Sequence, residues 1–252
     1  MITVTPVLAL VLAALLLLAV TVAAWCRLSP DTGAPRWREI LVAGLRAAAQ
    51  LAAVSLVVVW ALESAAVLAG FLVVMLGVAV RTAGRRITPG PGWWFTAVPI
   101  GVSVVPVVAG LLATGVVPLR GITLIPVTGI LIGGAMTATT LAGRRALDEL
   151  AARHGEVEAG LALGLRDRDA RLAVARPSAS DALLPGLDQT RTVGLVTLPG
   201  AFVGMLLGGA SPVMAGAVQL FVLVALSAVQ VVAVAVTVEL VARGRLRREP
   251  VA

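Results

Sequence analysis

Residues 6–26 read PVLALVLAALLLLAVTVAAWC, a continuous run without a single charge. A helix needs roughly 20 mostly apolar residues to cross a bilayer, where it satisfies its own backbone hydrogen bonds. The whole chain shares this character, because 59% of its 252 residues are apolar and its mean hydropathy is +1.02. That composition excludes an ordinary soluble domain. The sequence therefore predicts an all-α integral membrane protein.

Further apolar runs along the chain bring the predicted number of transmembrane helices to about seven, in a single domain covering residues 1–252. The spans are predicted near residues 6–26, 40–62, 64–81, 93–114, 121–141, 192–210 and 213–240. An odd number of spans places the two termini on opposite sides of the membrane. One long polar loop, residues 143–191, separates the fifth span from the sixth.

The arginines predict the orientation of these spans. All 20 basic residues are arginines, and they cluster at 27–46, 81–86, 144–191 and 243–248, at alternate gaps between the apolar runs. Arg120 alone lies in a gap assigned to the outside. Cytoplasmic segments near membrane spans carry the excess of basic residues. The N-terminus is therefore predicted outside and the C-terminus in the cytoplasm, and the composition is typical of a multi-pass protein of a bacterial cytoplasmic membrane.

The first apolar run differs from a cleaved signal peptide. It has neither a basic n-region nor a small-residue cleavage site. Trp25 precedes Cys26, where a lipoprotein acceptor site would need a small residue. We therefore expect residues 6–26 to remain as a helix.

Metal-ligating and catalytic residue types are scarce. Cys26 and His154 are each the one residue of their type in the chain, which excludes an intramolecular disulfide and thiolate clusters for zinc or iron–sulfur. No metal site and no catalytic constellation is identified. Methionines such as Met136 fit ordinary packing.

Proline and glycine mark the fourth, fifth and sixth predicted spans. Pro99 and Pro106 make the fourth irregular, because each removes a backbone donor and favours a bend. Small residues in the fifth and sixth spans let helices approach closely. A second interpretation is a helix break at Leu198-Pro199-Gly200 beside a transport pathway. The pathway or helix-break candidates are Pro126, Gly133, Gly134, Met136, Asp188, Leu198, Pro199, Gly200 and Gly204.

Polar side chains follow two of the predicted spans. Arg46 and Gln50 share one face of the second span. In the last span, Gln219, Gln230 and Thr237 fall within about 20° of one helical stripe. We expect this stripe to hydrogen-bond with another helix in preference to a substrate.

The loop 143–191 is predicted to form a helical cytoplasmic lobe. Apolar residues recur among charges over 156–175, which indicates one amphipathic helix that ends at Pro177. Ser178 and Ser180 are predicted to cap a short following helix, before Pro185-Gly186 returns the chain to the membrane. A solvated connector of this length is uncommon, so a docking element for another protein is an equal alternative.

Several of these stretches resemble the FetB-type iron-export family of ABC-transporter permeases. The densest match is the run 188–200, DQTRTVGLVTLPG, continued by GGASP at 208–212. RAAAQL at 46–51 and the glycines of the fifth span resemble the family as well. Glu158-Ala159 followed by Gly164 is similar to the loop through which ABC permeases contact their ATPase. The resemblance covers nearly the whole chain.

The resemblance implies a permease subunit, with relatives associated with iron export in bacteria and aluminium tolerance in plants. It places coupling to the ATPase at Glu158, Ala159, Gly164, Arg166, Asp167 and Asp169, and it implies a homodimer of permease chains among membrane lipid, with no nucleic acid. Gly134 stands where the family usually has Asn, which leaves a shared cargo open.

The energy source follows from an independent observation. A P-loop needs a lysine on the nucleotide phosphates, and this chain contains none. The chain therefore cannot carry that ATP site, so the ABC resemblance implies that it binds no cofactor itself and depends on Mg-ATP in a separate ATPase subunit docked on the cytoplasmic lobe. Two other functions remain open, an ATP-independent channel or secondary transporter, and a non-transporting scaffold that holds anionic lipid or a partner.

Overall fold

A computed structural model describes residues 5–29, 34–115, 117 and 121–248. Within these residues the chain is helical. The helices are α1 (Pro6–Trp25), α2 (Arg36–Glu63), α3 (Ala65–Ile87), α4 (Ala97–Ala113), α5 (Gly121–Ala152), α6 (His154–Ala162), α7 (Asp167–Ser180), α8 (Leu184–Thr192), α9 (Gly200–Leu207) and α10 (Pro212–Ala242). A 3-10 turn, Pro91–Thr96, precedes α4, and another, Asp181–Leu183, precedes α8.

Six helical segments of the described chain are long and apolar enough to cross a membrane. They are Pro6–Trp25, Arg36–Leu56, Ala65–Ile87, Pro91–Ala113, Thr123–Ala152 and Pro212–Ala242. The prediction of an all-α membrane protein is confirmed at this level, and the sidedness of the termini stays a prediction. The fourth segment is irregular, as its prolines predict, because it begins with the 3-10 turn and contains Pro106.

The predicted span 192–210 is not one continuous helix. α8 ends at Thr192, and α9 begins at Gly200 and has eight residues. Between them, Gly194 has a φ of +80° and its N–H donates to the carbonyl of Thr197. A residue with positive φ followed by Pro199, which has no N–H, does not continue a helical hydrogen-bond ladder.

The chain divides into two compact units, and the first is residues 1–63. Here α1 and α2 pack together at Gly44, where a Cβ would lie 2.8 Å from Cδ1 of Leu16. Most side chains of α1 are exposed although almost all are apolar. Such a surface is typical of a helix that faces lipid.

The second unit, residues 64–252, contains the main hydrophobic core. α5 and α10 supply most of it, with Leu131, Val229 and Val241 almost fully buried. Leu172 and Ala175 of α7 belong to the same core. The polar loop is therefore a lobe that packs directly on the ends of α5 and α10.

The internal structure of this lobe corrects three predictions. The helix predicted over 156–175 is divided into α6 and α7, because Gly164 has a φ of +90° and ends α6 with the hydrogen-bond pattern of a Schellman cap. Pro177 lies inside α7 and does not end it. Because Pro177 has no N–H, the carbonyl of Ala173 lacks its helical hydrogen bond. Ala173 is exposed, so water can bind this carbonyl. Ser180 caps no helix, since its Oγ donates to the carbonyl of Pro177.

The start of the lobe also differs from the prediction. α5 continues beyond the predicted limit of 141 to Ala152, so residues 143–152, about the first fifth of the predicted loop, continue the helix of the fifth span. Ala142 and Ala146 are fully buried in the core. This apolar packing extends the helix out of the predicted span.

Candidate functional site

Two glycines enclose the amide of Gln230 on α10. A Cβ at Gly186 of α8 would overlap Oε1 of Gln230 and lie 3.2 Å from its Nε2. A Cβ at Gly134 of α5 would overlap Leu226 and lie 3.5 Å from the same Nε2. The absence of a side chain at 186 therefore makes room for the amide of Gln230, and the absence of one at 134 makes room for Leu226 beside it.

A cavity of about 260 Å³ opens beside this amide. Its polar lining comes from Thr137, Gln189 and Gln230, of which Thr137 and Gln189 are exposed. Gly133 and Gly134 form the α5 side. At a rise of about 1.5 Å per residue, Gln230 lies about 14 Å along α10 from the charged end of that helix at Glu239. We call this cavity the Gln230 cavity.

A second cavity of about 280 Å³ lies farther along α10, beside the break between α8 and α9. Leu198, Pro199 and Phe202 line one side, and Gln219 and Leu223 line the other. Gln219 is only 4% exposed, and its Oε1 has no hydrogen-bond partner among the described residues. A buried amide oxygen without a partner is destabilising, so its place at a cavity wall calls for a functional reason. We call this the Gln219 cavity.

The two cavities offer neutral oxygen and nitrogen groups. Among the described residues, no group of three or more His, Cys, Asp or Glu side chains comes together. The polar atoms at the walls are amides, a hydroxyl and backbone groups, which accept and donate hydrogen bonds without bringing a charge. Such walls suit a solute that passes through and is not held tightly.

The interhelical hydrogen bonds expected for the stripe on α10 are not formed among the described residues. Thr237 is fully buried, but its Oγ1 donates to the carbonyl of Ala233 on its own helix, at 2.6 Å. Gln219 and Gln230 face cavities. Two of the three stripe residues therefore line cavities, and Thr237 is buried away from both.

The candidate pathway residues divide between cavity walls and other places. Gly133, Gly134, Leu198 and Pro199 line the cavities. The remaining five do not appear among the lining residues: Pro126 lies inside α5, Met136 packs on the core, Asp188 is exposed and pairs with Arg191, and Gly200 and Gly204 have nothing within 4 Å of an added Cβ. The close glycine contact predicted for Gly200 and Gly204 is therefore absent from the described chain.

Two important cavity residues were not singled out from the sequence, Gly186 and Gln189. Both lie in the short helix α8, Leu184–Thr192, where the sequence predicts that the chain returns to the membrane. A signal for Gln189 was present in the sequence, since this residue belongs to the run DQTR that carries the family resemblance. The second-span pair, Arg46 and Gln50, is exposed on α2 within the first unit.

The turn between α6 and α7 presents apolar side chains at the surface of the charged lobe. Leu163 is 86% exposed, and Leu161 and Leu165 on either side of it are 42% and 48% exposed. The candidate coupling residues surround these leucines, and all of them except Asp169 are exposed: Glu158, Ala159, Gly164, Arg166, Asp167 and Asp169. We call residues 158–169 the lobe tip.

Ion pairs support the lobe on both sides of this tip. Arg153 donates hydrogen bonds to Glu149 and Glu156, and the contact with Arg153 holds the pKa of Glu156 below its usual value. On the far side, Arg168 of α7 donates to both carboxylate oxygens of Glu239 on α10. The tip is therefore carried by a lobe that is attached to α10 by charge as well as by apolar packing.

Comparison with known proteins places this arrangement in a family. The model of the uncharacterised protein family UPF0014 matches residues 7–245. The chain belongs to UPF0014. Because the protein named "Probable iron export permease protein FetB" of Escherichia coli (strain K12) is 30% identical over 51% of this chain and 49% of its own, the predicted FetB-type resemblance is confirmed.

Plant proteins are similar to this UPF0014 chain as well. It is 37% identical to the UPF0014 membrane protein STAR2 of Oryza sativa subsp. japonica over 73% of the chain, and 37% identical to ALUMINUM SENSITIVE 3 of Arabidopsis thaliana over 59%. The matches span 66% and 55% of the lengths of these two relatives. No solved structure matches the chain.

Proposed function

We propose that this chain is the membrane permease subunit of an ABC transporter and that a separate ATPase subunit docks on the lobe tip. The observation that carries the proposal is the exposed leucine group, Leu161, Leu163 and Leu165, which lies among charged residues and contains Leu163, at 86% the most exposed large hydrophobic side chain of the lobe. Exposed apolar groups with a polar rim mark protein contact sites. The expected assembly has two permease chains and two ATPase subunits in a bacterial cytoplasmic membrane.

A movement of the tip has a physical route to the cavities. α7 shares the hydrophobic core with α5 and α10, so the lobe cannot shift without displacing the ends of these helices. The ion pair between Arg168 and Glu239 adds a second connection to α10. Gln230 and Gln219 lie on that same helix. ATP binding in the partner would therefore act through α7 on the walls of both cavities.

We further propose a metal ion, exported in weakly held form, as the cargo. The relative FetB is named as a probable iron export permease protein, which supports iron export for that protein. In this chain the neutral amides of Gln189, Gln219 and Gln230 could take part of a cation's hydration shell without trapping it, since carbonyl oxygens are ligands for hard cations. A tightly held ion would not leave the cavity, so neutral walls are compatible with transport.

The test of the docking proposal is co-purification of the tagged chain from its native membrane in a gentle detergent. A P-loop polypeptide is expected in about equal amount with the unaltered chain. Leu163→Asp places a charge in the leucine group and should remove this polypeptide. Ala173→Asp is the matched control, because it adds the same charge at an exposed position of α7 outside the tip.

The two variants separate the competing functions. Loss of the partner in both, or in neither, would count against docking at the tip. A chain that purifies alone and moves solute in vesicles without ATP would be a channel or secondary transporter.

For the cargo, ATP-driven uptake of ferrous ion into inside-out vesicles is the first measurement. Uptake of no metal ion in vesicles that still hydrolyse ATP would reject the metal cargo while leaving the permease proposal intact.

A further inference from the structure

A cavity of different chemistry lies between the connection from α3 to α4 and the chain that follows α10, and its volume is about 460 Å³. Gly244, with a φ of +68°, ends α10, and the N–H of Arg245 then donates to the carbonyl of Leu240. Oγ1 of Thr88 donates a hydrogen bond of 2.9 Å to the carbonyl of Arg247. The two walls of the cavity are therefore fixed to each other.

The described lining of this cavity is basic. Arg243, Arg245 and Arg247 contribute to it, all three are exposed, and no carboxylate is among the lining residues. Arg243 pairs with Glu239, whereas Arg245 and Arg247 form no ion pair with any carboxylate of the described residues. The guanidinium carbon of Arg245 lies 5.7 Å from the ring centre of Phe95, which orients it by a cation–π contact. Positive charge without a carboxylate partner among the described residues is thus held at a concave surface.

Aromatic rings form the other part of the wall. Trp94 is 53% exposed and stacks on Phe95, with ring centres 4.0 Å apart. Tryptophan is enriched at the level of lipid headgroups, where its ring is partly apolar and partly wet. Val98, in the next turn of chain, is also exposed. An apolar surface therefore runs from the basic cavity along the start of a membrane-spanning helix.

We propose that this cavity binds the phosphate of an anionic phospholipid headgroup in the cytoplasmic leaflet. Guanidinium groups bind phosphate oxygens through paired hydrogen bonds. The basic residues at 81–86 and 243–248 predict that this end of the bundle lies in the cytoplasm, where anionic lipid is concentrated. The exposed apolar surface at Trp94 and Val98 favours a lipid over a soluble phosphate, because acyl chains can cover it.

The site has a mechanical connection to the lobe. Arg243 lines the cavity and also bonds the carboxylate of Glu239, which Arg168 of α7 bonds from the other side. A phosphate in the cavity would attract Arg243 away from Glu239. Bound lipid should therefore alter the attachment of the lobe to α10.

The test counts lipids that stay bound to the purified full chain, by native mass spectrometry from nanodiscs that contain equal phosphatidylglycerol and phosphatidylcholine. The unaltered chain should retain phosphatidylglycerol in preference. Arg245→Gln with Arg247→Gln should lower that preference on the order of tenfold, since each arginine near a membrane surface contributes measurably to anionic lipid binding. Arg144→Gln with Arg176→Gln is the matched control, because it removes the same charge at exposed lobe positions away from the cavity.

Three results would overturn the site. They are an equal loss in the control pair, an unchanged preference in the cavity pair, and displacement of the lipid by inorganic phosphate at millimolar concentration, which would assign the cavity to a soluble anion. If the double variant fails to fold, Arg245→Gln alone provides the comparison. Retained phosphatidylcholine in each sample checks that the membrane surface is intact.

Discussion

Arg168 on α7 and Glu239 on α10 form a two-point ion pair between residues that are 71 positions apart in sequence. Nε and Nη2 of Arg168 donate to the two carboxylate oxygens at 2.7 and 2.8 Å. The contact with Glu239 raises the pKa of Arg168, so this guanidinium stays charged. Arg243, one turn farther along α10, bonds the same carboxylate. The pair is a polar attachment of the lobe to α10, beside the ion pair between Arg145 of α5 and Asp181 of the lobe.

Glu239→Gln should uncouple transport from ATP hydrolysis more than it should destabilise the protein. The pair is partly exposed, with 45% of the Arg168 side chain accessible, so its contribution to stability is at most about 1 kcal/mol. We expect the transport per ATP hydrolysed to fall severalfold in proteoliposomes, because the lobe then moves α10 through apolar packing alone. Glu149→Gln, which disturbs a pair within the lobe, is the control.

Exchange of the two charges tests whether the ion pair itself couples ATP hydrolysis to transport. Arg168→Glu with Glu239→Arg should recover part of the coupling that either change alone removes. Full coupling in Glu239→Gln would show that the ion pair has no part in transmission.

The membrane helices were largely predictable from the sequence, whereas the lobe was only partly so. Spans such as 213–240 are long apolar runs, here with a single charge, Glu239, near the end, and the structure extends that one by a few residues, to Pro212–Ala242. In the lobe, Gly164 ends a helix by its conformation, although the amphipathic pattern continues through it. Pro177 shows the reverse, since tertiary packing of Leu172 and Ala175 maintains a helix that local chemistry disfavours.

The candidate site was predictable in part of its residues but not in its assembly. Gly134, Pro199 and Gln230 were visible as unusual residues in apolar runs. The place of Gly186 against Gln230 was not visible, because it joins two helices that are distant in sequence and depends on where α8 packs. Helical periodicity predicts the face of the helix on which a residue lies, but it does not predict which residue of another helix will contact it.

Gly164→Ala should destabilise the lobe tip. A residue with a Cβ in the left-handed region costs about 1–2 kcal/mol, and Gly164 has a φ of +90°. We expect faster amide hydrogen exchange at 158–169 and a weaker partner ATPase contact. Gly155→Ala is the control, because Gly155 lies in α6 with nothing within 4 Å of an added Cβ. Equal exchange rates in both variants would contradict a strained cap.

Glu156 should titrate below the usual range of a glutamate. Its pKa is lowered chiefly by hydrogen bonding from Arg153. Because the folded pKa is lowered, its contribution to stability is present above the ordinary value of about 4.3 and is lost as pH falls through the lowered pKa. Carboxyl carbon NMR of the labelled chain in detergent measures the midpoint. Arg153→Gln should move that midpoint upward, and an unmoved midpoint would assign the shift to another cause.

Gly186→Ala should destabilise the protein through Gln230. The added Cβ overlaps Oε1 of Gln230, and because this atom ends a flexible side chain that can shift, the cost lies at the low end of overpacking, about 1 kcal/mol. Gln230→Ala removes the overlapping atoms, so the double variant should regain most of the loss in thermal unfolding measured in detergent. Gly204→Ala is the control, since nothing lies within 4 Å of a Cβ there. Additive losses in the double variant would mean that the two residues do not meet.

Gln219→Met should raise thermal stability and lower transport together. Methionine has nearly the volume of glutamine, and the change removes a buried Oε1 that has no hydrogen-bond partner among the described residues. Removal of that unpaired oxygen stabilises the folded chain on the order of 1 kcal/mol.

If the amide of Gln219 contacts passing solute in the Gln219 cavity, transport should decrease although the protein is more stable. If the amide has a structural role, Gln219→Met should instead lower the stability of the protein. Transport should then fall only in proportion to the amount of folded chain that is lost. Thermal unfolding and vesicle transport measured on the same preparation separate the two roles, and Leu220→Met, at an exposed position on the wall of that cavity, gives the baseline for adding a methionine there.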